Sequence, residues 1–182
     1  MANEKIIQFF MAIFIAVAWI VCDFINVEAF DFLKADKYLY SIYWLAGLRL
    51  LAIILFGYVG FFGIFIGHAI SSSLIRGFEP NEAIWLAFLS SSATLIAYKL
   101  WQFLLGKTDS FLGISPLQLF YLVVLNAGFV AIFRFTYLLH LNSEISLFLL
   151  YGTLAANISG SLLILYLIKV CNYFYRRVNQ WL

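Results

Sequence analysis

Charge is what this sequence has least of. Its 182 residues include 11 lysines and arginines and 9 aspartates and glutamates, 11% of the chain, against 65% hydrophobic residues. Mean hydropathy is +0.99. A soluble domain of this length has no interior large enough to hide so much apolar surface, so the balance excludes the soluble globular class. The few basic residues are scattered and the net charge is only +2, which excludes the clustered basic face that nucleic acid requires.

Cysteine and histidine are as scarce, two of each. No Cys/His group has metal-ligand spacing, and nothing in the sequence implies a cofactor. Cys22 and Cys171 lie at the ends of the first and last apolar stretches, on opposite sides in the arrangement derived below. A disulfide between them would have to bridge about 30 Å of hydrocarbon, several times the separation a disulfide permits. Both read as free thiols. Catalytic motifs are missing too: there is no HExxH and no nucleophile elbow. Leu105-Gly106-Lys107-Thr108 has the ending of a phosphate-binding loop, but Trp101 stands where the spacing needs glycine and no strand precedes it.

What is there is a series of long apolar runs. From Ser41 to Ile75 only Arg49 and His68 are ionisable. As a single helix this stretch would be about 52 Å long, overshooting a hydrocarbon core of roughly 30 Å. Two helices folded back on each other fit better, with the reversal near Gly57 and Gly60, where glycine makes a tight turn cheap. Gly63-Ile64-Phe65-Ile66-Gly67 carries the GxxxG spacing that lets helices approach closely, and packing within one chain is the preferred reading over dimerisation. The expected fold is all-α: one integral membrane domain, a polytopic helical bundle of about six transmembrane helices, spans near 6–22, 41–57, 60–75, 83–105, 116–139 and 145–169. Pro80 and Pro116 suit the openings of the fourth and fifth helices.

The first run contains Ala16-Val17-Ala18, which has the small-residue form of a signal cleavage site. It stays apolar through Trp19, Ile20 and Val21, so a retained first span is the preferred reading. Asp23 to Lys37 reads as an acidic loop with a short interfacial helix and phenylalanines resting on the bilayer surface. Six spans put both termini on one side. Lys5, Lys107, Lys169, Arg176 and Arg177 fall together, opposite Lys34, Lys37 and Arg76, so the positive-inside rule makes both termini cytoplasmic. The localisation that follows is a bacterial inner membrane.

Within the spans, Arg49 is the most informative residue. It sits near the centre of the second span, where arginine costs roughly 2.5–3.5 kcal/mol on insertion scales, and no acid occurs in any expected span to neutralise it. Lys99 and Arg134 lie nearer their span ends and can snorkel. Arg49 calls for hydrogen bonds to broken backbone and to Asn126 or Asn157, a water-filled cavity, or an anionic ligand or lipid headgroup. Arg49, His68, Asn126, Arg134 and Asn157 are therefore the candidate ligand- or lipid-binding residues. Tyr173, Tyr175, Arg176, Arg177 and Trp181, in the aromatic and basic tail, are candidate partner contacts.

The run Tyr43-Trp44-Leu45-Ala46-Gly47-Leu48-Arg49-Leu50-Leu51-Ala52, then Leu55-Phe56-Gly57 and Gly63-Ile64-Phe65-Ile66-Gly67-His68-Ala69, resembles the opening of bacterial membrane-associated sensor (MASE-type) domains. There a Trp-Pro-x-x-Gly stretch leads into a glycine-punctuated hairpin. Leu45 stands where that family has proline, and the chain ends before any cytoplasmic output domain. The resemblance implies a stand-alone sensory module that signals through another chain. The expected function is thus non-catalytic: a sensory or partner-binding membrane protein acting through membrane lipids, a small ligand, or another membrane or signalling protein. The alternatives are a substrate-binding component of a small-molecule transporter and a structural subunit of a larger membrane complex. A lipid-acting enzyme is least favoured, because no acid and base pair up.

Overall fold

The computed structural model describes residues 2–106, 114–141 and 146–179, with backbone only at residue 2 and at 172–179. Six helices carry the architecture: α1 (Ala2–Ala29), α2 (Leu45–Phe56), α3 (Tyr58–Leu74), α4 (Pro80–Leu105), α5 (Pro116–Leu141) and α6 (Leu147–Asn179). Four of them, α1, α4, α5 and α6, are long and apolar enough to cross a membrane. Their outward faces are apolar as a bilayer requires: Phe14, Leu74, Phe103 and Phe148 are all exposed.

α2 is shorter than its expected span of 41–57, α3 matches its span of 60–75 in length, and both are shorter than the other four helices. At 12 and 17 residues they are about 18 and 26 Å long. The chain before α2 accounts for the difference. Between α1 and α2 lie a single 3-10 turn (Asp31–Leu33) and a small antiparallel hairpin, β1 (Lys34–Asp36) and β2 (Leu39–Tyr40). From there the chain bends at residues 41 and 42 and runs beside α6: the Tyr43 amide donates to the Ala156 carbonyl at 3.2 Å. This approach is possible because α6 carries Gly160, where a β-carbon would come within 2.0 Å of the Tyr43 carbonyl oxygen. The expected interfacial helix is therefore one 3-10 turn plus a β-hairpin packed onto the bundle.

The reversal between α2 and α3 falls at Gly57, whose φ of 55° lies in the left-handed region, as the glycine in that position foretells. The Gly63–Gly67 pair packs within the chain. A β-carbon on Gly63 would meet Ile15 at 2.7 Å, and one on Gly67 would meet the Ala16 carbonyl at 2.7 Å. α1 therefore lies directly on α3, with Trp19 1% exposed at the crossing. Pro80 opens α4 and Pro116 opens α5, and Gly106 ends α4 in the left-handed conformation.

Side-chain contacts fix the direction of each helix relative to its neighbours. Asp23 near the end of α1 pairs with Arg76 just after α3. Tyr38 of the hairpin donates to Glu82 at the start of α4, and its carbonyl accepts from Arg134 late in α5. Leu39 lies against Gly152 early in α6. The ends of α1, α3 and α5 and the beginnings of α2, α4 and α6 thus gather at one end of the bundle, under the hairpin. Tyr58 and Lys99 meet at the other end.

One expected loop is helix instead. Asp23 belongs to α1, which continues to Ala29, and both Asp23 and Asn26 are fully buried. Residues 15/16, 19, 23 and 26 are buried at helical spacing, so the face that packs on α3 simply turns polar toward its end. The polarity of Asp23 reflects an ion pair rather than the end of the helix.

Candidate functional site at the hairpin end of the bundle

Beneath the β-hairpin, side chains from five helices converge. Arg49 falls in the second turn of α2, after the non-helical segment 41–44, rather than near the centre of a continuous span. It is fully buried. Its Nη2 donates to Asn157 Oδ1 at 2.8 Å, and Asn157 Nδ2 in turn donates to the Thr153 carbonyl at 2.8 Å. This second bond fixes the amide so that its oxygen, not its nitrogen, faces the guanidinium. Among the described residues, Arg49 Nε and Nη1 have no acceptor.

Arg134 is the second cation. It is half-buried and reaches toward the hairpin. Its Nη2 donates to the Tyr38 carbonyl at 3.1 Å, and its Nε is buried without an acceptor. Arg76, the third, is clamped by two bonds to Asp23, one of them Nε to Oδ2 at 3.0 Å, and it lies over the rings of Tyr40 and Tyr43. Burial by itself would lower the Arg76 pKa, but Tyr43 and Asp23 outweigh it and hold the group above its ordinary value, so it is charged. Burial raises the Tyr38 phenol, which therefore serves as a neutral donor to Glu82 at 2.7 Å.

Tyr43 stands at the centre of this group, within electrostatic reach of Arg76, Arg49 and Arg134. His68, buried on α3 against Trp19 with ring centroids 5.2 Å apart, is within reach of the same three arginines. Its Nδ1 has no partner in the protein. A narrow cleft of about 240 Å³, partly open to the exterior, is lined by the hairpin, Tyr43, Arg76, Arg134 and Asn157. Arg49 lies one layer behind its floor, joined to it through Asn157.

Of the residues expected to form a site, Arg49, Asn157, Arg134 and His68 thus come together. Asn126 does not join them. It is buried in α5 with neither amide atom bonded, eight residues and so about 12 Å along the helix from Arg134. Helix α6 reaches Asn179, but the side chains of Tyr173, Tyr175, Arg176 and Arg177, and Trp181 altogether, lie outside the described residues. Asp23, Arg76, Tyr38 and Tyr43 were not expected at the site. The helical spacing from Trp19 through Asp23 to Asn26 is the one sequence signal that places an acid there.

The arrangement has no nucleophile activated by a base. Among the described residues, no three His, Cys, Asp or Glu side chains are grouped to hold a metal. What it has is positive charge in a buried setting: three guanidiniums, one of them paired with a carboxylate. That geometry suits the recognition of an anion by charge-assisted hydrogen bonds. No protein family, curated protein or solved structure matches this chain.

Proposed function

We propose that this chain is a multi-pass protein of a bacterial inner membrane that crosses the bilayer six times, keeps both termini in the cytoplasm and presents the hairpin end outside. It acts without catalysis, as a sensory or partner-binding module resembling the MASE-type domains, and reads a ligand or lipid headgroup at the hairpin end. The alternating helix directions support the six crossings, because they return both chain ends to the side opposite the hairpin. The positive-inside rule supports the orientation: Lys5, Lys169, Arg176 and Arg177 flank the chain ends, while the hairpin end mixes Lys34, Lys37 and Arg76 with most of the acids.

The observation that carries the ligand reading is Arg49, fully buried with two of its donor atoms unbonded. A buried guanidinium without a counter-charge costs several kcal/mol, and a protein that retains one has a use for it. Binding would act by favouring one arrangement of the hairpin and helices over another, since equal binding to both shifts nothing. Extraction in a mild detergent followed by mass spectrometry of retained lipids, small molecules and proteins tests the reading. Retention of a molecule by the wild type and its loss from Arg49→Leu, with insertion intact, supports it. Identical retention by both chains contradicts it. Co-purification with an ATPase pair would point instead to a transporter component.

A further inference from the structure

Counting charges around the cleft identifies the chemistry of the ligand. Arg49, Arg76 and Arg134 bring three positive charges, and Asp23 returns one negative charge, already committed to Arg76. Glu82, the next acid, is engaged by Tyr38 and Lys37 at the rim. Two positive charges remain uncompensated in a region where Arg49 is fully buried. Uncharged oxygens do part of the work: the Asn157 amide takes one Arg49 donor and the Tyr38 carbonyl takes one from Arg134. Left over are Nε and Nη1 of Arg49 and Nε of Arg134, donors in the planar fork that suits tetrahedral and carboxylate oxyanions.

We infer that the cleft beneath the hairpin is a site for a phosphate group carrying about two negative charges, a free phosphate or the terminal phosphate monoester of a lipid. The inference rests on the ligand-binding reading above and adds the chemical class. A doubly charged phosphate neutralises the two spare cations and offers oxygens for all three unbonded donors; a single carboxylate could accept as many bonds but brings only one negative charge.

The site has to open to take it. As it stands the cleft has room for about one water. The covering element is the hairpin, and one of its ties to the bundle is the Arg134 bond to the Tyr38 carbonyl. A phosphate that recruits the Arg134 guanidinium competes for that bond, so the group that binds also loosens the cover. Asn157 at the floor would turn aside to admit the anion to Arg49. Occupancy is in this way converted into hairpin position.

The test uses the full chain in nanodiscs of phosphatidylcholine. Inorganic phosphate is titrated in one arm, and phosphatidic acid is added to the discs in the other, with thermal stabilisation and phosphorus NMR as readouts. Two variants accompany the wild type. Arg134→Gln removes a cleft cation, and Asn157→Asp places a carboxylate on Arg49 in the same volume, so it should fold at least as well as the wild type. We expect the wild type to respond in at least one arm, and both variants to bind at least tenfold more weakly. A response to inorganic phosphate identifies a soluble ligand, and a response confined to phosphatidic acid identifies a lipid headgroup. No response in either arm, or unchanged binding by Asn157→Asp, overturns the phosphate assignment. Mass spectrometry of the native preparation separates the two failures. A retained molecule without phosphate that is lost from Asn157→Asp overturns the phosphate assignment and leaves ligand reading intact. No retained molecule overturns both.

Discussion

Arg49 Nη2 and Asn157 Oδ1 stand 2.8 Å apart in the buried interior, joining the second helix to the sixth across 108 positions of sequence. The bond ties together the two helices that also meet at Gly47 and Gly160. It is the one hydrogen bond the protein gives this guanidinium among the described residues. Removing its acceptor leaves a buried charge more exposed to desolvation cost. Asn157→Leu should therefore lower stability by about 2–3 kcal/mol, the range for a hydrogen bond to a charged group. Denaturant unfolding in detergent measures it. Wild-type stability in that variant would mean that Arg49 is satisfied elsewhere.

The Asp23–Arg76 clamp closes α1 onto the turn between α3 and α4. Asp23 is fully buried, while the Arg76 side chain keeps 12% exposure. Breaking a buried pair from one side costs about 3–5 kcal/mol. The exposure of Arg76 puts Asp23→Asn toward the lower end, about 3 kcal/mol. A double-mutant cycle with Arg76→Gln should show strong coupling, the double variant losing much less than the sum of the two single losses. Additive losses would contradict the pairing.

Two helical glycines make opposite predictions. At Gly160 a β-carbon would sit 2.0 Å from a backbone carbonyl oxygen, whereas at Gly128 nothing lies within 4 Å. Backbone cannot yield as a side-chain tip does, so Gly160→Ala should cost about 1–3 kcal/mol or more as overpacking. Gly128→Ala should be neutral or stabilising by up to about 1 kcal/mol, the helix-propensity difference. Melting temperatures of the two variants in one detergent decide it. Equal shifts would mean that the segment at Tyr43 does not press on α6.

Much of this bundle is legible in the apolar runs. Gly57 and the prolines at 80 and 116 are local signals, and they fall where the turn and the helix starts are found. The Gly63–Gly67 spacing also yields its packing, although its partner, α1, is supplied only by the fold. Asp23 was misplaced because an acid at the end of an apolar run resembles the start of a loop. Its partner Arg76, 53 residues away, is what keeps it helical and buried. The short α2 was hidden for a related reason. Tyr43 and its neighbours are apolar enough to read as helix, yet they pack on Gly160 as a bent, non-helical segment. At the site, Arg49 and Asn157 could be singled out as residues costly to bury. That Arg134 and His68 join them, and Asn126 does not, depends on the rotation and depth of each helix, which periodicity leaves open.

The account depends on the hairpin end lying outside the cell, with six crossings returning both chain ends to the inside. With Cys22 and Cys171 replaced by serine, a single cysteine at Lys37, in the hairpin, reports its side directly. A membrane-impermeant maleimide should label Lys37→Cys in intact cells whose outer membrane is opened, and should leave Lys5→Cys unlabelled until the inner membrane is broken. Labelling of residue 5 from outside, with residue 37 protected, would contradict the arrangement.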